Sequence, residues 1–337
     1  MTSPNHDPAQ PLRVVFLGTP DFAVPALAAL IAAPDITVVL VVTQPDRPAG
    51  RGRQLAASAV KQMATAHAID VLQPERLRGP EVLQRLRAAD ADLLVIAAFG
   101  QILRQAVLDI PRHGCLNVHP SLLPRHRGPS PIATAILNGD PVTGMTIMLT
   151  DRGMDTGSIL TQQRIPLGQE ETTASLTPRL ADLGATLLVQ TIPEWVAGNI
   201  VPQPQDDTLA TATRTFAKED GAIDWSRSAV ALGRRVRAFN PWPRAYTFDR
   251  GKRLLVLGAR VVVDGTVNSD PAPPGTVVDI SAEGPLVATG DGVLALTEVQ
   301  PEGRRALPGR DFARGNAALI GNRLGAAQVV DQVDDGA

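Results

Sequence analysis

The first 150 residues alternate between short apolar runs and segments with apolar residues at helical spacing. The apolar runs are rich in β-branched residues and lack polar alternation, which is typical of strands buried on both faces. Strands that alternate with helices predict an open, mostly parallel α/β sheet, in which ligands bind at the carboxyl ends of the strands. The predicted strands are 13–18, 36–43, 92–98, 116–119 and 143–150, and the predicted helices are 24–33, 55–67 and 80–89.

The chain changes character after residue 198. The next fifteen residues are rich in Pro, Gln, Asp and Thr, which is typical of a linker. A helix predicted over 224–239 then precedes short runs at 253–263, 275–280, 286–289 and 293–299, whose spacing predicts a small β-barrel or sandwich. The expected organisation is a larger domain, a linker, a smaller domain and two disordered tails: 12–198, 199–213, 214–325, 1–11 and 326–337.

Composition excludes several classes of protein. The single cysteine, Cys115, excludes an intramolecular disulfide framework and a multi-cysteine zinc site. The longest apolar runs are far shorter than the ~18 residues that a membrane helix needs, and the polar start of the chain is unlike a secretory signal. We therefore expect a protein of the bacterial cytoplasm with no membrane partner and no metal.

Charge is distributed unevenly along the chain. The net charge of −2 argues against nucleic-acid binding by the chain as a whole, and against a DNA partner. Residues 210–325 carry a net charge of +4, so the smaller domain could meet a polyanion. A charge of this size is equally compatible with an ordinary solvated surface.

The sequence N-V-H-P-S-L-L-P-R-H-R-G, residues 117–128, contains the densest group of reactive side chains. Because side chains alternate along a strand, Asn117 and His119 are expected on the same side. An amide donor beside an imidazole suits acyl transfer, because the amide can bind a developing oxyanion and the imidazole can move a proton. The alternative is a histidine in a purely structural hydrogen bond.

A carboxylate partner is expected from the sequence D-R-G-M-D-T-G, residues 151–157, which follows the predicted strand 143–150. Beside a parallel strand that ends in Asn-x-His, Asp151 or Asp155 could orient the imidazole or receive a proton. The alternative is an ordinary turn rich in Asp and Gly.

Six motifs in a fixed order carry a resemblance to a known family. They are G-T-P-D-F, T-Q-P-D-R-P-A-G-R-G, N-V-H-P-S-L-L-P-R-H-R-G, T-G-M-T-I-M, D-R-G-M-D-T-G and R-A-F-N-P-W-P. From about residue 12 to 324 the chain resembles the 10-formyltetrahydrofolate-dependent formyltransferases, and residues 44–52 and 239–243 resemble the tRNA-directed members. This resemblance implies a Rossmann-like catalytic domain followed by an OB-like β-barrel that binds tRNA.

The resemblance also implies a reaction and a catalytic trio. A formyl group would pass from 10-formyltetrahydrofolate, the co-substrate, to the amino group of methionyl-initiator tRNA. Asn117 and His119 would stabilise the oxyanion of the tetrahedral intermediate, and Asp155 would orient His119 and assist proton transfer. Asp151 would then only structure its loop.

Binding residues follow from the same resemblance. The folate-binding residues that it implies are Phe99, Gly100, Ser121, Leu122, Leu123 and Pro124. The tRNA-binding residues are Arg47, Arg51 and Arg53, in an Arg-rich loop without an apolar anchor, and Arg234, Arg237 and Arg244. We expect Phe239 and Trp242 to be core residues.

Four alternative functions account for less of the sequence. Glycinamide ribonucleotide formyltransferases and amino-sugar formyltransferases use the same donor, but the first are typically a single domain and the second do not explain an Arg-rich loop. An RNA-binding module on an inactive scaffold does not explain why Asn117, His119 and Asp155 are all present. A nicotinamide dehydrogenase is disfavoured because the first βα turn lacks G-x-G-x-x-G. We expect a monomer.

Overall fold

The computed structural model describes residues 10–49, 54–262, 272–316 and 318–325. The described chain divides into two compact units. The first comprises Pro141–Leu167, Ser175–Arg214 and the described residues up to Ile132; the second comprises Ala133–Asp140, Gly168–Ala174 and the described residues from Thr215 onward. The predicted domain limits stay a prediction, and most of the two predicted tails, 1–9 and 326–337, lies outside the described residues.

The first unit is built on a seven-stranded sheet with the order β5-β2-β1-β6-β7-β8-β9. Neighbouring strands are parallel from β5 to β7, while β8 runs antiparallel to both β7 and β9. The mostly parallel sheet is thus confirmed. Its strands, together with the separate ribbon β3–β4, are β1 (Leu12–Gly18), β2 (Ile36–Val42), β3 (Arg47–Ala49), β4 (Gln54–Ala56), β5 (Val71–Leu72), β6 (Leu93–Ala97), β7 (Cys115–His119), β8 (Val142–Leu149) and β9 (Ile159–Pro166).

Two predicted helices begin later than expected. The helix predicted from residue 55 begins at Ala59, because residues 54–56 pair with 47–49 in the ribbon and the Ser58 side chain accepts a hydrogen bond from the Lys61 amide. The helix predicted from residue 224 begins at Ala229, where Ser228 caps the Ala231 amide. The helices are α1 (Val24–Ala32), α2 (Ala59–Ala66), α3 (Pro80–Ala88), α4 (Gln105–Leu108), α5 (Pro131–Asn138), α6 (Thr173–Val196), α7 (Ala229–Ala238) and α8 (Gly309–Arg314).

The two faces of the sheet are covered differently. Helix α6 approaches the face that carries Val118 and Met145, and it does so at Gly184, where a Cβ atom would lie 2.7–2.8 Å from those two side chains. The opposite face carries Cys115, which belongs to a core cluster with Leu94 and other buried aliphatic residues. Because side chains alternate along β7, Asn117 and His119 lie on the same face as Cys115.

The second unit is an antiparallel sheet with the order β10-β11-β14-β13-β12, as the predicted all-β domain requires. Residues 322–325 bond to both of its edges: the Val277 amide donates to Asn322, the Leu324 amide to Gly275 and the Gly325 amide to Phe248. They therefore connect the two edge strands as a barrel-like arrangement requires. The strands are β10 (Ala245–Asp249), β11 (Lys252–Val262), β12 (Val277–Ile280), β13 (Pro285–Ala288), β14 (Val293–Pro301) and β15 (Leu307–Pro308), which pairs with β14.

The second unit has its own core. Helix α7 contributes Ala229, Leu232 and Val236, which pack with aliphatic residues of the strands and with Trp225. In the described parts of both units, no helix is long and apolar enough to cross a bilayer.

Candidate active site

The Asp155 carboxylate contacts both polar side chains at the end of β7. Asn117 donates from Nδ2 to Asp155 Oδ1 at 3.1 Å. The other oxygen, Oδ2, accepts from the Gly128 amide at 2.8 Å and lies 3.6 Å from His119 Nδ1. Asp155 therefore contacts both other members of the predicted trio, and its carboxylate lies between the Asn117 amide and the His119 imidazole.

Asp155 reaches this position through a loop rather than through the carboxyl edge of a parallel strand. Strand β8 runs antiparallel to β7, so its last residue, Leu149, is paired with Leu116 near the start of β7. Residues 150–158 then return to contact Asn117 and His119. Asp155 adopts a left-handed φ of +55°, which Asp tolerates better than most residues. Gly157 allows the return, because a Cβ there would lie 1.8 Å from the Leu149 carbonyl oxygen.

Asp151 has a different role in the same loop. One of its carboxylate oxygens accepts from the Gly153 amide at 2.9 Å and from the Thr156 hydroxyl at 2.7 Å. It holds the turn that precedes Asp155, as predicted for a residue that only structures the loop.

The second nitrogen of His119 is bonded to the backbone. Nε2 lies 3.0 Å from the carbonyl oxygen of His126, and because a carbonyl can only accept, we assign the proton to Nε2. The remaining nitrogen, Nδ1, then faces Asp155 with a free lone pair. Burial lowers the pKa of the imidazole, and the Asp155 carboxylate opposes that shift. Burial therefore favours the neutral ring, in which Nδ1 can take up a proton.

The loop after β7 is fixed by two residues that sequence analysis missed, Thr146 and Gln162. The Thr146 hydroxyl donates to the Ser121 carbonyl at 2.6 Å and accepts from the Leu123 amide at 3.3 Å. Gln162 Nε2 donates to that hydroxyl at 2.9 Å and to the Leu123 carbonyl at 2.8 Å. Thr146 belongs to the motif T-G-M-T-I-M, which is the sequence signal that could have identified it. In the structure it is paired with His119 across β7 and β8.

The predicted folate-binding residues are not equally accessible. The side chains of Leu123, Ser121 and Phe99 are buried, and the Phe99 carbonyl accepts from Gln44 Nε2 at 2.9 Å. Leu122 and Pro124 are half-buried, and Gly100 is exposed. Half of the predicted set thus offers accessible surface, and folate binding by these residues stays a prediction.

The first predicted tRNA-binding segment includes residues of the ribbon β3–β4, where an Arg-rich loop without an apolar anchor was predicted. Arg47 is exposed and donates to Gln44 Oε1 at 2.9 Å. Next to it, hydrogen bonds from Lys61 and Gln73 lower the pKa of Asp46 and anchor the start of the ribbon. Arg51 and Arg53 lie outside the described residues.

The predicted tRNA-binding arginines of the second unit contact nearby carbonyl oxygens. Arg234 donates to Asn138 at 3.3 Å and Arg237 to Glu171 at 3.0 Å, both at residues of the same unit. Burial lowers the pKa of Arg237. Arg244 is exposed and donates to Pro241 at 3.2 Å.

The aromatic residues of F-N-P-W-P have different environments. Phe239 is 1% exposed, which confirms its prediction as a core residue. The same prediction for Trp242 is wrong: its exposure is 52%, since residues 240–244 form a turn at the unit surface.

Among the residues that the structure describes, no group of three or more His, Cys, Asp or Glu side chains could hold a metal ion. Cys115 is buried, and burial raises the pKa of its thiol to about 12.

Comparison with known proteins identifies the family. The formyl transferase family matches residues 12–192, and its C-terminal domain matches residues 216–317. A methionyl-tRNA formyltransferase of Roseiflexus sp. (strain RS-1) is 51% identical over 317 residues, which is 94% of this chain and 96% of the relative.

Solved structures share the fold at low sequence identity. An N-formyltransferase from Helicobacter canadensis superposes with a TM-score of 0.60 at 16% identity, covering 85% of this chain and 99% of the other. HypX from Aquifex aeolicus superposes with a TM-score of 0.58 at 17% identity over 92% of this chain, which spans about half, 48%, of the HypX chain. The family match over both parts of the chain and the identity to full-length relatives agree, and the chain belongs to the methionyl-tRNA formyltransferase family.

Proposed function

We propose that this enzyme transfers the formyl group of 10-formyltetrahydrofolate to the free amino group of methionyl-initiator tRNA. The observation that carries the proposal is the Asp155 carboxylate in contact with both Asn117 and His119, within a chain that is 51% identical to a methionyl-tRNA formyltransferase. An amide donor, a neutral imidazole and a carboxylate are the groups that acyl transfer to an amine requires.

Asn117 is proposed to bind the oxyanion. When the neutral amine attacks the formyl carbon, a C–N bond forms and the carbonyl electrons move to the formyl oxygen. The Asn117 amide has two N–H donors, and one is used by Asp155. The other can donate to the negatively charged oxygen. One such donor contributes roughly 10²–10³-fold to the rate of acyl transfer.

His119 and Asp155 are proposed to handle the proton that the amine loses. His119 Nδ1 is the nitrogen that can accept it, and the adjacent carboxylate stabilises the resulting imidazolium. The positive ring then adds electrostatic stabilisation of the oxyanion. When the intermediate collapses, the bond between the formyl carbon and the folate nitrogen breaks and that nitrogen takes up a proton.

Binding of the two substrates is proposed to use the surfaces beside the trio and the predicted arginines. Leu122, Pro124 and Gly100 offer accessible surface to the folate, with Ser121, Leu123 and Phe99 fixing the loops behind them. Arginine side chains suit phosphate groups, because the guanidinium can donate two hydrogen bonds to one phosphate. We propose Arg47, Arg51, Arg53, Arg234, Arg237 and Arg244 as the tRNA contacts.

Because aminoacylated tRNA is its proposed acceptor, we infer that the enzyme acts in the bacterial cytoplasm. That it is a monomer stays a prediction.

The proposal is tested by mixing the purified chain with 10-formyltetrahydrofolate and methionyl-initiator tRNA and measuring formyl-methionyl-tRNA. Methionyl-elongator tRNA is the matched control acceptor. Product that depends on both the folate and the initiator tRNA supports the proposal. Formyl transfer to an amino sugar nucleotide, with none to either tRNA, would overturn it.

A further inference from the structure

Residues 203–213, the larger part of the predicted linker 199–213, run along the first unit beside the proposed active site. Gln203 pairs through its backbone with Ile159, with hydrogen bonds of 2.9 and 2.8 Å. At the other end, Ala212 forms a parallel bridge with Arg127. The Arg127 amide donates to Thr211 and the Thr213 amide to Arg127, at 2.9 and 2.7 Å. This segment therefore pairs through its backbone with the first residue of β9, directly after the Asp155 loop, and with the loop after β7.

Gln205 is the residue of this segment that contacts the Asp155 loop directly. Its Nε2 donates to the Asp155 carbonyl at 2.9 Å and to the Gly157 carbonyl at 2.7 Å. Its Oε1 accepts from Arg127 Nε at 2.9 Å. The Arg127 guanidinium is only 13% exposed and also pairs with Asp207 at 2.8 Å. One side chain thus connects the loop that carries Asp155 to the loop that follows His126.

The same segment also fixes the backbone that bonds to His119. The Thr211 hydroxyl accepts from the His126 amide at 2.8 Å, and the His126 carbonyl is the group at 3.0 Å from His119 Nε2. Two residues of the segment therefore act on the two sides of the imidazole: Gln205 on the Asp155 side, and Thr211 on the His126 side.

We propose that Gln205 is a positioning residue for formyl transfer, which holds Asp155 at the distance from Asn117 and His119 that the reaction requires. This inference rests on the function proposed above. Asp155 has a left-handed backbone conformation in a loop that reverses direction, so its carboxylate depends on contacts outside the loop. The bond to its own carbonyl from Gln205 is such a contact.

The chemistry of the contacts explains why glutamine suits this position. Two backbone carbonyls require two N–H donors, and Arg127 requires an acceptor; a carboxamide provides all three. Glutamate would keep the acceptor and place a negative charge against two carbonyl oxygens. Asparagine is one methylene shorter than glutamine.

The test compares Gln205→Ala and Gln205→Glu with wild type in the full chain. Both variants should lower kcat by up to about 10²-fold, the effect of a misplaced catalytic group, while the KM for folate changes less than about twofold. Gln203→Ala is the matched control, because Gln203 lies in the same segment, is exposed and pairs through its backbone. Its kcat should equal that of wild type.

A double-mutant cycle separates positioning from general destabilisation. In an Asp155→Ala background, Gln205→Ala should cost less than about twofold in kcat, because the group that it positions is absent. An equal loss in both backgrounds, or a kcat within twofold of wild type for both single variants, would overturn the proposal.

Amide hydrogen exchange keeps this test independent of the proposed function. Peptides covering residues 151–158 should exchange faster in both Gln205 variants than in Gln203→Ala. Absence of formyl transfer by wild type would contradict the proposed function, and the exchange measurement would still decide whether Gln205 anchors the loop. Unchanged exchange in residues 151–158 would show that it does not.

Discussion

At the scale of residues, the candidate site is a set of polar side chains that satisfy one another's hydrogen-bonding and charged groups. The Asp155 carboxylate accepts from Asn117 and Gly128 and faces His119, so removal of any member leaves a buried or half-buried polar group without its partner. The effects of substitutions within such a group are expected to be strongly non-additive. For each substitution, the rate of formyl transfer and the folate affinity should be measured separately, so that effects on chemistry are distinguished from effects on binding.

Asn117→Ala is expected to slow formyl transfer by about 10²–10³-fold, because it removes the proposed oxyanion donor. The folate dissociation constant should change little, since Asn117 is not among the predicted folate contacts. Single-turnover formylation and equilibrium folate binding on the same preparation check both statements. A rate close to that of wild type would exclude Asn117 from the reaction.

The buried His119 should make the stability of the protein depend on pH. Burial lowers its pKa below 6.5 in the folded state, so below about pH 6.5 the unfolded chain binds a proton that the folded chain does not. The free energy of unfolding should therefore fall as the pH falls below 6.5, by at most about 1.4 kcal/mol per pH unit for one histidine. Urea unfolding at pH 7.5 and 5.5 should show a smaller loss for His119→Gln than for wild type, and equal losses would contradict this account.

At the scale of elements, the antiparallel pair β8–β9 supplies the polar side chains that fix the loop after β7. Strand β8 places Thr146 opposite His119, and β9 places Gln162 next to it. The fully buried Thr146 hydroxyl uses its one donor and both acceptor sites on the loop after β7 and on Gln162. The shape of the proposed folate loop is thus set by the neighbouring strands.

Thr146→Val is expected to destabilise the protein by about 1–3 kcal/mol, since Ser121 and Leu123 lose their buried partner. It should also weaken folate binding, because the loop 121–124 is then less well fixed. Denaturant unfolding and folate titration measure the two effects. Thr161→Val, which removes a hydroxyl that bonds to Thr191, is the control: it should reduce stability without changing folate affinity.

Strands and helices with strong local patterns were predictable from the sequence, and the features set by tertiary contacts were not. Strands β1, β2, β6, β7 and β8 match the predicted runs within one or two residues, because each is a short segment in which apolar residues predominate. Strand β9 and helix α6 were not predicted. Strand β9 has polar residues at 161–164, and α6 contains Pro178 and Pro193. In α6 the spacing of Leu176, Leu180 and Leu187 carried a helical signal.

The trio was predicted from motifs, and its connection to residues 203–213 was not. Pro, Gln, Asp and Thr are typical of a linker by composition. The same polar side chains make Gln205 and Thr211 suitable partners for backbone groups of two distant loops. Composition does not distinguish a linker from a segment that anchors two loops. The partners of these side chains can be more than fifty residues away in sequence, as His126 is from Thr211, so they are identified only from the folded structure.

At the scale of the whole molecule, the two substrates should respond differently to salt. Residues 210–325 carry a net charge of +4, and tRNA binding through arginines releases counterions. The logarithm of the tRNA affinity should fall linearly with the logarithm of salt concentration, while folate affinity changes much less. Arg244→Ala should reduce that slope by about 1, and Arg310→Ala, an exposed arginine of α8, should leave it unchanged. A slope that is the same for wild type and Arg244→Ala would remove Arg244 from the tRNA contacts.

The central claim is that formyl transfer depends on the charge of Asp155 between Asn117 and His119. Its most direct test is the single-turnover rate of Asp155→Asn with saturating 10-formyltetrahydrofolate and methionyl-initiator tRNA, because asparagine keeps the shape of the side chain and removes the charge. The account predicts a rate about 10²–10⁴-fold below wild type with unchanged folate affinity. A rate within a few-fold of wild type would contradict it, because the carboxylate would then play no part in moving the proton.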